Sequence, residues 1–330
     1  MRLLWGLRPR EFRASAILGR LNGSGVQSAS PDRRVLGAFA TVVLLGGTNL
    51  VLVVVTTRKL EPFWAAGLRF TGAAILAFAA AAALHLAIPR GRALAVSGVY
   101  GVLAFGLGFG LFFWGTRHVP AGIASVILGC VPLFTFLLAV AQGLERFRLR
   151  GLVGAVLAIL GIGVISAEAP SGSLPILPLL AVVGAAVATA EAAITVRRIP
   201  GEHPLPVNAV GMAVGSVLLM LASVVSGEPR GAPWSAGATL PLMIMIVTSP
   251  LLFELYVVVV QRWSASAAAY QLVLFPLVSI PLSALLLNET ISLSLLVGAP
   301  LVLLGVYVGA LAPDRHRSAV ITGTENGSSV

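Results

Sequence analysis

Little in this chain of 330 residues suits it to water. Charged residues make up 10% of it, 22 basic against 12 acidic, while 58% is hydrophobic and the mean hydropathy is +0.98. Cysteine occurs once, as Cys130 inside an apolar run, which excludes an internal disulfide and a thiolate metal cluster. Neither His85 nor His118 has an evident catalytic partner. There is no Walker A sequence, zinc-ligand spacing or serine-nucleophile elbow, so an ATP-driven pump is disfavoured and no catalytic residue, metal site or cofactor is assigned. A net charge of +10 invites a nucleic-acid reading, but the arginines sit in short clusters at the ends of apolar runs and form no basic face.

Long apolar sequence is what the chain has in abundance. Crossing about 30 Å of hydrocarbon takes about 20 mostly apolar residues at ~1.5 Å each. Ten stretches qualify: Val35–Thr57, Phe63–Leu84, Ala93–Phe113, Gly122–Ala141, Gly151–Ala167, Leu177–Val196, Val207–Val225, Leu240–Val260, Ala267–Leu287 and Ser294–Leu311. Proline, glycine and charge separate them, as in Arg58-Lys59-Leu60-Glu61-Pro62 and Arg117-His118-Val119-Pro120. The runs lack the alternation of barrel strands, and backbone groups in lipid must pair within the span. The expectation is an all-α integral membrane protein with ten transmembrane helices.

Basic residues on alternate loops set its orientation. Seven arginines of the amino-terminal segment fall on one side with Arg90/Arg92, Arg146/Arg148/Arg150, Arg197/Arg198, Arg262 and Arg315/Arg317. Only Arg58/Lys59, Arg117 and Arg230 fall on the other. Both termini are therefore expected in the cytoplasm of a cell-membrane protein. Residues 1–34 are read as a basic cytoplasmic segment, an interfacial helix, plain disorder or the product of a mis-assigned start codon, and 312–330 as a polar cytoplasmic tail.

Sliding the chain over itself by 144 residues superposes Pro62 on Pro206, Gly67 on Gly211, Ala121 on Ala265, Pro132 on Pro276, Glu145 on Glu289, Gly154 on Gly298 and Gly161 on Gly305. Coincident alanines would be cheap in this composition; coincident Pro, Glu and Gly are not. The units are 35–167 and 177–311, each with five helices. Because five is odd, the second copy must enter the membrane from the opposite side. Two homologous halves in contrary orientations give one structure two near-equivalent states, open inward and open outward. That favours a secondary transporter working by alternating access; a passive channel, or a membrane scaffold or enzyme, is the alternative.

The segment Ala121 to Ser166, with Pro132, Glu145, Gly154 and Gly161-Ile162-Gly163, resembles the carboxy-terminal part of an EamA domain. Residues 265–310 look like the same element again, through Pro276, Glu289, Gly298 and Gly305. With Gly46-Gly47-Thr48-Asn49 and Pro62…Arg69-Phe70, the chain is similar over residues 35–311 to the EamA transporters of the drug/metabolite transporter superfamily. That resemblance implies ten helices in two inverted five-helix repeats and transport of amino acids or related small metabolites, often outward. Gly46-Gly47 stands where many members carry Trp-Gly, and Arg69 has only Ala213 at the offset position.

Three ionisable residues fall within the spans: Arg69, Glu191 and Glu254. Each costs about 2.5 to 3.5 kcal/mol near a helix centre, so each is expected to face the bundle interior. Counting residues from the span ends puts Asn49 and Arg69 in an outer polar tier, and Glu191, Glu254, Tyr270 and Gln271 in an inner one. A carboxyl whose access to water alternates can take up and release a proton, which makes a proton a candidate coupling ion. The bland alternative is that Arg69 bonds a neighbouring backbone and a glutamate serves packing. Trp114 and Tyr256 are secondary candidates for a cavity wall, otherwise interface anchors. Gly106-x-x-x-Gly110 is read as a packing surface, and Glu145 and Glu289 as caps or loop-arginine partners. The implied partners are the lipid bilayer, a small-molecule substrate and, as a candidate, a second copy in a homodimer.

Overall fold

The computed structural model describes residues 33–144, 147, 149–167, 175–199, 201–230, 235–262 and 265–308. The segment before residue 33, Glu145 and the tail after residue 308 lie outside these, and with them the readings made for those positions.

Every element among the described residues is helical. In chain order they are α1 (Arg33–Thr57), α2 (Pro62–Ala83), α3 (Arg92–Gly101), a π-helical stretch (Val102–Gly108), α4 (Phe109–Gly115), α5 (Ala121–Leu128) and α6 (Val131–Ala141). Then follow α7 (Leu149–Ala167), α8 (Ile176–Val196), α9 (Pro204–Val225), α10 (Ala236–Arg262), α11 (Ala265–Leu287) and α12 (Leu293–Val306). Pro62 and Pro204 open α2 and α9, where a missing N–H leaves no bond unmade. Gly227, at φ +67°, turns the chain out of α9 in the left-handed conformation that glycine adopts freely.

Among the described residues seven helices are long and apolar enough to cross a membrane: Val35–Thr57, Pro62–Ala83, Arg92–Gly115, Ala121–Ala141, Ile176–Val196, Pro204–Val225 and Ala236–Tyr256. Three apolar segments, Leu149–Ile165, Gln271–Leu287 and Leu293–Val306, are shorter, in the range of 10–17 residues. Ten apolar helices are therefore present among the described residues, but three fall below the usual spanning length.

Two of the long spans are not continuous α-helices as the sequence suggests. In the third, Val102–Gly108 widens into a π-helix beside α9 and α8. A Cβ on Gly101 would lie 2.4 Å from the carbonyl oxygen of Gly211, so the two backbones touch only because glycine stands there. In the fourth span the helix breaks at Gly129-Cys130, and Pro132 sits in the first turn of α6, where its ring cannot donate a helix bond.

Packing crosses between the halves. Helix α1 lies against α10 and α11; α8 lies against the α3–α4 unit and against α5 and α6. Helix α2 packs along α9, α7 along α12, α3 against α9 and α10 against α2. A 144-residue displacement carries each of these pairings onto another or onto itself. The same exchange acts on single atoms. A Cβ on Gly161 would lie 2.8 Å from the carbonyl oxygen of Gly298, and one on Gly305 would lie 2.6 Å from that of Gly154. The outer helix faces carry exposed Ile75, Ile159, Leu177 and Leu285, while α2 buries Ala65, Ala66, Ala73, Ala77 and Ala81. Small residues inward and large ones outward is the membrane-helix pattern, since close backbone approach replaces the hydrophobic drive that lipid removes.

At one end of the bundle, carboxylates tie the loops together. Glu61 forms an ion pair with Arg117, and Glu289 lies 3.6 Å from Arg58. Glu289 also accepts the backbone N–H of Ala121 at 3.2 Å, and Glu228 accepts those of Phe63 and Trp64 at 3.0 and 2.8 Å. Negative charge at a helix N-terminus is favourable, so these contacts cap α5 and α2. Glu289 thus holds a loop arginine, and the helix it caps is in the other half rather than the one that follows it.

Candidate functional site

Helix α2 carries Arg69 into the interior, where it is 1% exposed. Its Nη2 donates to Asn49 Oδ1 at 3.0 Å, its Nε to Ser249 Oγ at 3.0 Å, and its Nη1 to Met245 Sδ at 3.5 Å. Asn49 and Arg69 are therefore joined directly. No carboxylate forms an ion pair with Arg69 among the described residues. The charge rests on neutral acceptors and on the faces of Phe70, Phe109 and Phe113, whose centroids lie 5.0, 5.1 and 6.0 Å from its guanidinium carbon. Each such contact supplies about 0.5 to 2 kcal/mol, depending on desolvation.

The partners are themselves anchored. Asn49 Nδ2 donates to Leu45 O at 2.8 Å and to Thr248 Oγ1 at 3.2 Å, and Ser249 Oγ donates to Met245 O at 2.6 Å. Sequence reading misses Met245, Thr248 and Ser249, although the triplet Thr248-Ser249-Pro250 inside an apolar run is a legible sign. Pro250 removes one helix bond from α10 at this point and the hydroxyls lie next to the gap. Phe109 continues from Arg69 into an aromatic group, with Phe253 at 6.0 Å, Phe105 at 6.1 Å and, beyond Phe105, Tyr100 at 5.4 Å. Tyr100 donates to Asn208 Oδ1 at 3.0 Å.

The inner set divides into two environments. Glu191, in the last two turns of α8, accepts from Gln142 Nε2 at 2.6 Å, and Gln142 Oε1 accepts from Arg198 at 3.3 Å, so this carboxylate is tied to residues just past the ends of α6 and α8. Glu254, on α10, is 7% exposed, and its Oε2 has no hydrogen-bond partner. Gln271, on α11, is fully buried, and neither its Oε1 nor its Nε2 has one.

Both residues lie at one depth. Against α1, the antiparallel α10 pairs Thr248 with Asn49 and Val259 with Ala38, which puts Glu254 beside residue 43. The parallel α11 brings Phe275 and Val278 against Gly46 and Gly47, and Leu282 and Leu287 into the cluster of Val51 and Val54, which puts Gln271 beside residue 42 or so. At ~1.5 Å per residue the two levels agree to within about 3 Å. Helices α10 and α11 also pack on each other.

Tyr270 belongs to α11, with its side chain outside the described residues. Tyr256 is half-buried and lies within electrostatic range of Tyr100 and Arg197; Trp114 is half-buried at the end of α4. Among the described residues no three His, Cys, Asp or Glu converge as a metal site.

An all-helical bundle with an apolar exterior and buried charge at its centre is a multi-pass membrane protein. The EamA-like transporter family model matches residues 34–167 and again 176–310, and the chain belongs to that family. Among its relatives is an uncharacterized inner membrane transporter, YedA, of Escherichia coli strain K12, 26% identical over 78% of this chain and 84% of that protein. Another is a probable amino-acid metabolite efflux pump of Salmonella typhimurium, 27% identical over 86% and 96%. A third is a probable terminal-alkyne amino-acid exporter of Streptantibioticus cattleyicolor, 29% identical over 83% and 96%. One crystal structure shares the fold with a TM-score of 0.58 at 19% identity, over 82% of this chain and 97% of that one.

Proposed function

We propose that the chain is a secondary transporter that moves an amino acid or related small metabolite outward across the cell membrane by alternating access. In this reading ten helices form two inverted repeats, 35–167 and 177–311, with both termini in the cytoplasm and the carboxylate-tied loops outside. The observation that carries it is the reciprocal close approach of Gly161 to Gly298 and of Gly305 to Gly154. A rocking pair of like halves needs a seam that stays equivalent when the halves exchange roles, and these contacts supply one. The double family match and the exporter names of two relatives support the same reading. Arg69 and Asn49 hold α1, α2 and α10 together beside the route, and Glu254 is the group that meets the solute or a coupling proton.

Two experiments test it. Cys130 is buried, so single cysteines introduced as Arg146→Cys and Thr290→Cys report their loops to an impermeant maleimide. The first is expected to label from the cytoplasm and the second from outside; labelling from one side ends the inverted-repeat reading. In proteoliposomes a carrier shows trans-stimulated exchange of its solute and a channel does not.

A further inference from the structure

Helices equivalent under the 144-residue displacement pack on each other in the pairs α2 with α9, α7 with α12, and α5 with α11. The first two pairs are seams. Helix α2 follows α9 from the Glu228 bonds at Phe63 and Trp64, past Gly67 facing Met220, to Ala77 and Ala81 beside Leu205 and Ala209. Helix α7 meets α12 at Gly161 with Gly298 and again at Gly154 with Gly305. The third pair is different. Near the outer end a Cβ on Gly122 would lie 3.3 Å from Ile280 Cγ1 and 4.0 Å from Ser283 Oγ, and Ala121 clusters with Val51, Val54, Leu282 and Leu287. Past the break at Gly129-Cys130 the span leaves its equivalent, and α6 packs on α8 far more than on α11.

A seam between equivalent helices survives when the two halves exchange roles, whereas a contact made at one end only must open there and close at the other. The α5–α11 contact therefore distinguishes one state from the next, and Glu289 is the side chain that fastens it. From just past α11 it accepts the N–H of Ala121, the first residue of α5, at 3.2 Å and lies 3.6 Å from Arg58. Asn288 aims it: with φ at +52° this residue turns the chain out of α11 in the left-handed conformation that asparagine tolerates. The Glu289 and Arg58 side chains are 13% and 48% exposed, so water can take over both partners when the bonds part, as a reversible fastening requires. Ala121 and Glu289 both belong to the set that recurs at the 144-residue displacement, so each copy carries the parts of such a bond. We infer that Glu289 is the clasp of an outer gate: bonded to Ala121 and Arg58 it holds α5 against α11 and shuts the path outward, and its release lets the two helices part. The inference rests on the alternating-access reading above and names the residue that holds one of its states.

The test reads the gate directly, as the rate at which a water-soluble maleimide labels the full chain in detergent micelles. Two serines buried at this end become reporters, Ser283→Cys beneath the clasp and Ser223→Cys on α9 in the α2 seam, with buried Cys130 as the background. Glu289→Ala is expected to speed labelling of Ser283→Cys at least fivefold and to leave Ser223→Cys unchanged. Glu289→Gln keeps an acceptor for the Ala121 N–H but no charge for Arg58, and should give a smaller rise. Glu228→Ala, which loosens a seam, should leave Ser283→Cys unmoved. An unchanged rate at Ser283→Cys in the Glu289 variants overturns the clasp, and so does an equal rise at both reporters, which marks general loosening. If Glu289→Ala yields no folded peak, the same two readings of Glu289→Gln and Arg58→Ala decide the matter. These rates need no solute, so a native protein that exchanges nothing strikes the transport reading, while a Ser283→Cys rate deaf to Glu289 in a protein that does exchange strikes the clasp alone.

Discussion

Arg69 and Glu254 stand on helices that touch, α2 and α10, and are sealed to nearly the same degree, at 1% and 7% exposed. Their surroundings differ in kind. Around Arg69 three acceptors and three aromatic faces converge, and the acceptors Asn49 and Ser249 are fastened to further groups. About 9 Å further along the same bundle, by helix rise, Glu254 and Gln271 keep atoms with nothing to bond. Burial therefore does not tell these two polar environments apart. The completeness of the bonding set does, since the set around Arg69 is filled and that of Glu254 Oε2 and the Gln271 amide is not.

The largest effect that would sharpen this contrast belongs to the filled set. Arg69→Ala removes a bulky side chain from beneath three rings and strands Asn49 and Ser249, a loss of about 3–5 kcal/mol. Most of the protein should disappear from the folded peak in fluorescence-detected size-exclusion chromatography, and Arg69→Lys should recover only part of it, since an ammonium lacks the fork that reaches both partners. A folded Arg69→Ala protein with native thermal stability would dissolve the distinction. Glu254→Gln comes next and should do the opposite: exchange in proteoliposomes falls at least tenfold while the melting temperature moves by no more than about two degrees, because no protein contact of Oε2 is lost.

Thr248→Val sharpens the filled side on a finer scale. It deletes the bond from Asn49 Nδ2, which retains Leu45 O, so a loss of about 0.5–1.5 kcal/mol is expected in denaturant melts, with transport per folded molecule unchanged.

The smallest effect lies outside both sets, at the N-terminus of α9, where His203 Nδ1 accepts the N–H of Leu205 at 3.2 Å. Burial holds this imidazole below its ordinary value near 6.5. The native state thus prefers neutral His203, and the cap's contribution is present above about pH 6.5 and lost as pH falls through the lowered value. His203→Ala should flatten that stretch of the stability profile and cost about 0.5–2 kcal/mol above it, the usual range for a lost cap. An unchanged profile would remove His203 as the titrating group.

The outer polar pair was readable in advance, since counting residues from two span ends puts Asn49 and Arg69 at one level, and they bond. The inner set was readable only as a list of polar residues at similar depth. Sequence counting could not see that Glu191 is occupied by Gln142 while Glu254 is open, because both are glutamates in apolar runs. The breaks in the third and fourth spans were hidden for a similar reason. Gly101 and Pro132 mark positions where a helix tolerates a departure, but the departure is set by what packs alongside.

Hydropathy, span length, the basic loops and the 144-residue recurrence are local or periodic properties, so the chain by itself decided that this is a helical membrane protein built from two like units. Which helix each unit lends to the other, which carbonyl Gly161 meets, and which buried polar atoms are left without partners were decided only in three dimensions. Hydrogen bonding and close packing belong to pairs of atoms brought together from distant stretches of chain, and no single stretch carries the identity of its partner.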